Sequence, residues 1–296
     1  MVEYGSQQEQ ATDPPEPDYD WSWTEEDDDG WVPPTVDITR PSAARIYDYC
    51  LGGKDNFEVD RDAAECALQV LPDGRDLALA NRRFLRSAVA AMARSGIRQF
   101  LDLGTGIPTS PNVHETARTV HADARVVYVD NDPIVLAHGR AMLDGTDGVT
   151  AVMRDLREPA GVLNDPRVRQ TISLDEPVGL LLVAVLHFVD VSLGAQVVRH
   201  YVDRLVPGSQ VAISVGTSDG MPRETIRHLE GIYQATSTPV TFRTFAQTEE
   251  LVDGLALLEP GIVDVARWFD PHAAPMSMRM YAGIGVKDGP VTPRRG

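Results

Sequence analysis

The sequence predicts an α/β fold of the Rossmann-like, doubly wound type, with a mostly parallel sheet that ends in an antiparallel strand hairpin and follows a helical leader. Three observations carry this prediction. From residue 97 onward, short apolar runs alternate with helical stretches, the pattern of parallel strands joined by crossover helices. The first of these runs empties into a glycine turn, Gly104-Thr105-Gly106. The last two runs, 262–268 and 278–286, are separated by a Pro-containing segment too short for a helical crossover, so they are expected to pair antiparallel.

Taken in order, residues 1–34 form an acidic tail containing Pro14, Pro15, Pro17, Pro33 and Pro34 and the run Glu25 to Asp29. This composition is too polar and self-repelling to build a core, and disorder is expected. Trp21, Trp23 and Trp31 stand among these acids and make the tail a candidate docking motif for a protein partner. Residues 35–96 read as a helical leader. Ile46, Tyr49 and Cys50 precede the stop signal Gly52-Gly53, residues 63–71 give a second helix, and residues 75–95 a third, closed by Gly96. Residues 97–288 form the Rossmann-like domain. Its strands are expected near 97–103, 125–130, 149–153, 178–185 and 210–215, and its clearest helices at 112–121, 133–143, 192–205 and 222–235.

Composition narrows the function. The 296 residues are 43% hydrophobic, enough for one large core. The formal charge of −17 is concentrated: residues 1–39 hold 12 acidic and no basic residues, leaving 27 basic against 32 acidic residues in 40–296. The folded part is only mildly acidic, with no basic footprint for nucleic acid. The longest nearly apolar run, 178–189, is too short to span a bilayer, and the start lacks a secretory signal pattern, so a cytoplasmic protein is expected. Cys50 and Cys66 lack metal-ligand spacing and read as ordinary thiols, and no metal is expected.

The candidate chemistry lies at the ends of the strands. Asp102, Gly104, Thr105 and Gly106 form the first strand-to-helix turn, where glycine admits a ligand close to the backbone. Ile107, Pro108, Thr109 and Ser110 follow, so the third glycine of the dinucleotide fingerprint is missing, which counts against an NAD(P)-dependent oxidoreductase. Asp130 ends the second strand, where a carboxylate accepts ribose hydroxyls; Asn131 follows it, and Asp132 suits the cap of the next helix. Asp155 and Leu156 follow the third strand, an acceptor for an adenine amino group beside an apolar cover for the ring. All of these face the carboxyl edge of the sheet, where open α/β folds bind ligands.

The glycine turn, the acidic ends of strands two and three and the antiparallel finish resemble class I S-adenosylmethionine-dependent methyltransferases. More narrowly, the strings Arg45 to Phe57, Asn81-Arg82-Arg83-Phe84-Leu85, Gly104 to Ser110 and Tyr128 to Pro133 are similar to a largely uncharacterised actinobacterial S-adenosyl methyltransferase family, over about residues 36–286. The resemblance implies S-adenosyl-L-methionine as cofactor, with Asp102 and Gly104 at its methionine end, Asp130 at the ribose and Asp155 with Leu156 at the adenine. It also places the fourth strand end, Ala184 to Phe188, beside the transferable methyl. His187 is the candidate general base there, with Tyr47, Tyr49 and His228 as weaker candidates. Something must cover the open sheet edge. The leader is a candidate lid, with Gly53 for close backbone approach, Lys54 and Asn56 as donors to a carboxylate and Tyr49 as a stacking face. The expected function is methylation of a small-molecule acceptor, with residues 216–245 sharing the roof. A non-catalytic S-adenosylmethionine-binding module is the alternative.

Overall fold

The computed structural model describes residues 36–288, apart from 144 and 237. The acidic tail and its tryptophans lie outside the described residues. The leader folds as α1 (Ala43–Cys50), α2 (Glu58–Val70) and α3 (Gly74–Arg94). The α2 helix starts five residues before its apolar pattern begins because a side chain sets its start. The Asp60 carboxylate accepts the Phe57 N–H at 2.8 Å, satisfying a donor the helix itself leaves free. The same fully buried carboxylate accepts the Ser42 N–H at 2.9 Å and forms an ion pair with Arg45, Nε to Oδ2 2.8 Å, and so clasps α1 to α2.

The sheet follows with β1 (Gln99–Leu103), α4 (Val113–Arg118), β2 (Arg125–Asp130), α5 (Pro133–Leu143), β3 (Val149–Met153), α6 (Pro159–Leu163), α7 (Pro166–Thr171), β4 (Gly179–Val183), α8 (Val191–Arg204), β5 (Gln210–Thr217), α9 (Arg223–Gln234), α10 (Phe245–Glu249), β6 (Ala256–Leu257), β7 (Val263–Asp264) and β8 (Arg279–Val286). Strands run in the order β3-β2-β1-β4-β5-β8, the first five parallel and β8 antiparallel to β5 along its whole length. The order reverses direction between β1 and β4, the switch point at which such sheets hold ligands.

The antiparallel finish is present, but its hairpin is shorter than the sequence predicts. Only Val263 and Asp264 pair with β8 from the 262–268 run, and residues 265–268 turn into a 3-10 helix. Asp264 causes this by accepting the Ala266 N–H at 3.0 Å, while Val265 is buried against the sheet. The β6 pair, also on β8, and the short helices α6, α7 and α10 have no sequence counterpart above, being too brief to show a period.

Both sheet faces are buried, and strand alternation sorts their side chains. Leu101, Leu103, Val127, Val129, Leu180 and Leu182 face the layer of α6, α7 and α8; Phe100, Val126, Tyr128 and Leu181 face α3 and α4. The third leader helix is therefore one of the sheet's own covering layers. Among the described residues, no helix is long and apolar enough to cross a membrane.

A buried polar chain joins that layer to the end of β4. Ala184, at φ 56°, is the one non-glycine residue with positive φ among the described residues, a conformation that costs an alanine about 1–2 kcal/mol. Its N–H donates to Ser214 Oγ at 2.9 Å, and Ser214 donates to Asn81 Oδ1 at 2.5 Å. The Asn81 amide donates to Tyr47 Oη at 2.9 Å, whose hydroxyl donates to the Ala78 carbonyl at 3.2 Å. One linked set of donors thus holds α1, α3, β5 and the β4 end together, with each group satisfied by the next.

These contacts set the expected effects of three substitutions on stability. Asp60→Ala strands a buried guanidinium, a change that costs about 3–5 kcal/mol, so thermal unfolding is expected to shift down by roughly 6–20 °C. Tyr47→Phe leaves the Asn81 amide without its acceptor and is expected to cost about 1–3 kcal/mol in denaturant unfolding. Tyr49→Phe, whose hydroxyl meets Glu65 at the surface, is expected to change stability by less than about 0.5 kcal/mol.

Candidate functional site

The carboxyl edge of the sheet opens into a cavity of about 530 Å³, within the range of small-molecule sites. Its floor is the set of strand ends. Its roof comes from residues 36–51, α2, α3, α9 and the segment after it. Of the sequence-derived candidates, Asp102, Gly104, Thr105, Gly106, Asp130, Asn131, Asp155, Leu156, Ala184 and His187 all line this one chamber.

The glycine turn takes its shape from two left-handed residues, Gly104 at φ 70° and Gly106 at φ 65°. A Cβ on Gly104 would lie 2.1 Å from Val185 Cγ2, so the turn also needs the bare backbone to pack beneath β4. At Gly106 nothing lies within 4 Å of where a Cβ would sit, which leaves open space beside the loop. The Gly106 N–H donates to Asp130 Oδ2 at 2.9 Å and the Asp132 N–H to Asp130 Oδ1 at 2.9 Å. Asp132 caps α5, accepting the Ile134 N–H at 3.0 Å, and also receives Ser42 Oγ at 2.5 Å. Asp132 takes the helix cap that its position suggested and has one further role: it anchors the start of the leader to the floor.

Burial dominates the electrostatics. It lifts the Asp130 carboxyl to about 6, against the opposing pull of the Asp132 and Gly106 N–H groups, and the Asp132 charge adds to the rise. Burial likewise lifts Asp102 to about 6, although the Thr105 hydroxyl at 3.0 Å and the Arg82 charge favour its ionised form. Among the described residues neither carboxylate forms an ion pair within 4.0 Å, and both retain lone pairs for donors from a ligand. At Asp155, partial burial works upward, but hydrogen bonds and charge from Arg157, as close as 2.5 Å, outweigh it and the net shift is downward. The neighbouring Leu156 is held by its carbonyl, which accepts from Tyr201 Oη at 2.9 Å.

His187 sits in a 3-10 turn after β4, packed on Phe188 with ring centroids 4.4 Å apart. Burial, reinforced by the Arg243 charge, depresses its pKa to about 3. The Gly216 N–H points at its Nδ1 at 3.4 Å. A neutral ring that accepts at Nδ1 carries its proton on Nε2. The turn itself hangs on Arg243, a fully buried guanidinium that donates to the carbonyls of Leu186, Val189 and Asp190.

Three of the candidate cofactor contacts are not brought to the cavity. Tyr49 points outward, donating to Glu65 at 2.6 Å with the Arg75 guanidinium over its ring. Lys54 is exposed. Gly53 serves the leader's own turn: its Cβ would overlap the Asp48 carboxylate at 1.9 Å, and that carboxylate binds the Asp55 N–H and the Asn56 amide. The leader reaches the cavity through Tyr47 and Cys50 on the other side of α1, with Arg40 and Ser42 just before it. His228, another weaker candidate, also lies outside the lining. Sequence reading gave no role to Arg82, Asn81, Tyr233 or Arg243. The string Asn81-Arg82-Arg83-Phe84-Leu85 is itself distinctive, but nothing local says that Asn81 bonds Ser214 across 133 residues or that Arg82 lies beside Asp102.

The chain matches the S-adenosyl methyltransferase family over residues 29–288. Among solved structures it is similar to a candidate methyltransferase from Thermobifida fusca, at 39% identity and TM-score 0.81, with 88% of this chain and 99% of that one covered. It is equally similar to a DUF574-family protein from Streptomyces avermitilis, at 39% identity and TM-score 0.80, covering 86% and 100%. No curated protein matches it. The NAD(P)-dependent alternative falls with these matches: a cavity edged by buried carboxylates, on this fold and over this span, makes the chain a member of the S-adenosyl methyltransferase family, with S-adenosyl-L-methionine as its cofactor.

Proposed function

We propose that the protein transfers the methyl group of S-adenosylmethionine to a small molecule held in the same cavity. The observation that carries this reading is Asp130: a half-buried carboxylate at the second strand end, lining the cavity, whose partners among the described residues are backbone N–H groups. Such a group calls for neutral donors such as ribose hydroxyls. Open space beside Gly106 leaves room for that ribose. Asp102 with the Gly104 turn then faces the methionine end, and Asp155 with Asn131 and Leu156 the adenine.

When bound, the cofactor supplies an electrophilic methyl on a sulfonium. The chain's part is to align the acceptor and exclude water. Ala184 and the following turn stand where the acceptor meets that methyl. His187, with so low a pKa and its Nδ1 lone pair directed at the Gly216 N–H, suits donation from Nε2 to an acceptor heteroatom better than proton removal. The mildly acidic folded part supports a small molecule over nucleic acid. An enzyme that consumes this cofactor works where it is made, inside the cell, and we place it there.

Two measurements test the reading. S-adenosylhomocysteine, and not NAD(P), is expected to raise the melting temperature, and stabilisation by NAD(P) alone would overturn it. Loss of a charge-assisted hydrogen bond costs about 1.5–3 kcal/mol, so Asp130→Ala is expected to weaken S-adenosylhomocysteine by roughly 10- to 150-fold in calorimetry. The pH dependence has a definite sign. Hydroxyl donation selects the ionised carboxylate, while the ligand-free Asp130 holds its proton up to about pH 6. Affinity is therefore expected to rise as pH increases toward 6 and to level off above it, and Asp130→Asn is expected to remove that group's share of the slope.

A further inference from the structure

The cavity is chemically divided. Its carboxylates and arginines belong to the strand ends and to the leader segment beside them. The remainder, between α2, α3, α9 and the start of β8, is lined by Leu71, Leu77, Leu229, Val240, Phe242 and Met278. Leu71, Leu229, Phe242 and Met278 form a continuous apolar cluster. Of the lining residues on α9 and on the chain from Thr238 to Phe242, none carries a charged side chain. Gly216 connects residues of the two halves: its N–H reaches His187, while a Cβ there would touch Phe242 at 3.3 Å and Met278 at 3.6 Å.

At the same junction stands Tyr233. Its ring is 5.8 Å from Phe188, which is itself packed on His187. Burial pushes its phenol well above the ordinary range, with Tyr47 and Cys50 as electrical neighbours. The other cavity-lining tyrosine, Tyr47, is fully engaged by Asn81 and Ala78, whereas the Tyr233 hydroxyl has no hydrogen-bond partner among the described residues. His187 Nε2 likewise has none. Two polar atoms without partners among the described residues therefore border the cavity on either side of the Phe188 ring, next to its apolar half and to the strand end assigned to the methyl group.

We propose that the methyl acceptor is an uncharged, flat, apolar ring compound that fills the half lined by Leu71, Leu229, Phe242 and Met278 and presents one heteroatom to Tyr233 and His187. This rests on the reading above that the strand ends hold S-adenosylmethionine. A carboxylate or an ammonium on the same ring would lose its hydration without gaining an opposite charge, whereas a neutral hydroxyl gains two partners.

The test uses three probes that share one ring system, 2-naphthol, 2-naphthoate and 2-naphthylmethylammonium, titrated at pH 7.5 into full-length protein saturated with S-adenosylhomocysteine. The expected result is that 2-naphthol binds at least tenfold more tightly than either ion. Tyr233→Phe is expected to weaken 2-naphthol by about 3- to 10-fold, the range of a single hydrogen bond, with S-adenosylhomocysteine affinity within twofold of the parent. Equal affinity for the three probes, preference for an ion, no binding of 2-naphthol at millimolar concentration, or an unchanged 2-naphthol affinity in Tyr233→Phe would each overturn the inference. Failure of S-adenosylhomocysteine itself to bind would overturn the cofactor reading instead, so the two are distinguished within one titration series.

Discussion

Ser214 and Asn81 lie 133 residues apart and share the 2.5 Å hydrogen bond on which the site's architecture turns. On one side it fixes Ala184 in a conformation that alanine rarely adopts; on the other it fixes Tyr47 and through it the first helix of the roof. A doubly wound sheet exposes its carboxyl edge, and any binding site there needs a cover at a set height. Here that height is set by directional bonds in a water-poor interior, where a missing partner costs more than the bond itself contributes. Packing alone, through the apolar face of α3, would leave the roof free to slide.

Around this frame the cavity keeps its charges on one side. Burial raises Asp102 and Asp130, at Asp102 against the opposing charge of Arg82, and both line the floor as hydrogen-bond acceptors. His187, by contrast, is kept neutral by burial and by the Arg243 charge behind it. Under the proposed function the two sets divide the work: the acids face the cofactor, and the imidazole and phenol face the acceptor.

Much of the frame could be read from the sequence because it depends on local signals. The β2 and β3 strands and α5 fall where the apolar periods put them, and the ends of three strands deliver Asp102, Asp130 and Asp155 to one edge as chain geometry requires. The lid was legible in place but not in detail. Gly53 and Lys54 resemble a ligand loop because a double glycine beside a cation has that signature, yet the glycine is there for the Asp48 carboxylate, and only the three-dimensional turn reveals this. Tyr47 and Tyr49, two residues apart on a helix, face opposite ways, so one enters the cavity and the other meets Glu65. Arg243 gives no sequence signal, since its hydrogen-bond partners are main-chain carbonyls more than fifty residues away.

That arginine is confined on its far side by α8. A methyl group on Gly194 would come within 2.5 Å of Arg243 Nη2, and Leu251 closes the remaining space. The helix therefore cannot gain even an alanine at this position unless the guanidinium shifts, and a shifted guanidinium would release the carbonyls that hold the turn bearing His187. Two residues outside the cavity lining are thus locked into one inheritance. In related chains they should change together or not at all, and a relative with a larger residue at 194 should have found another way to hold the turn.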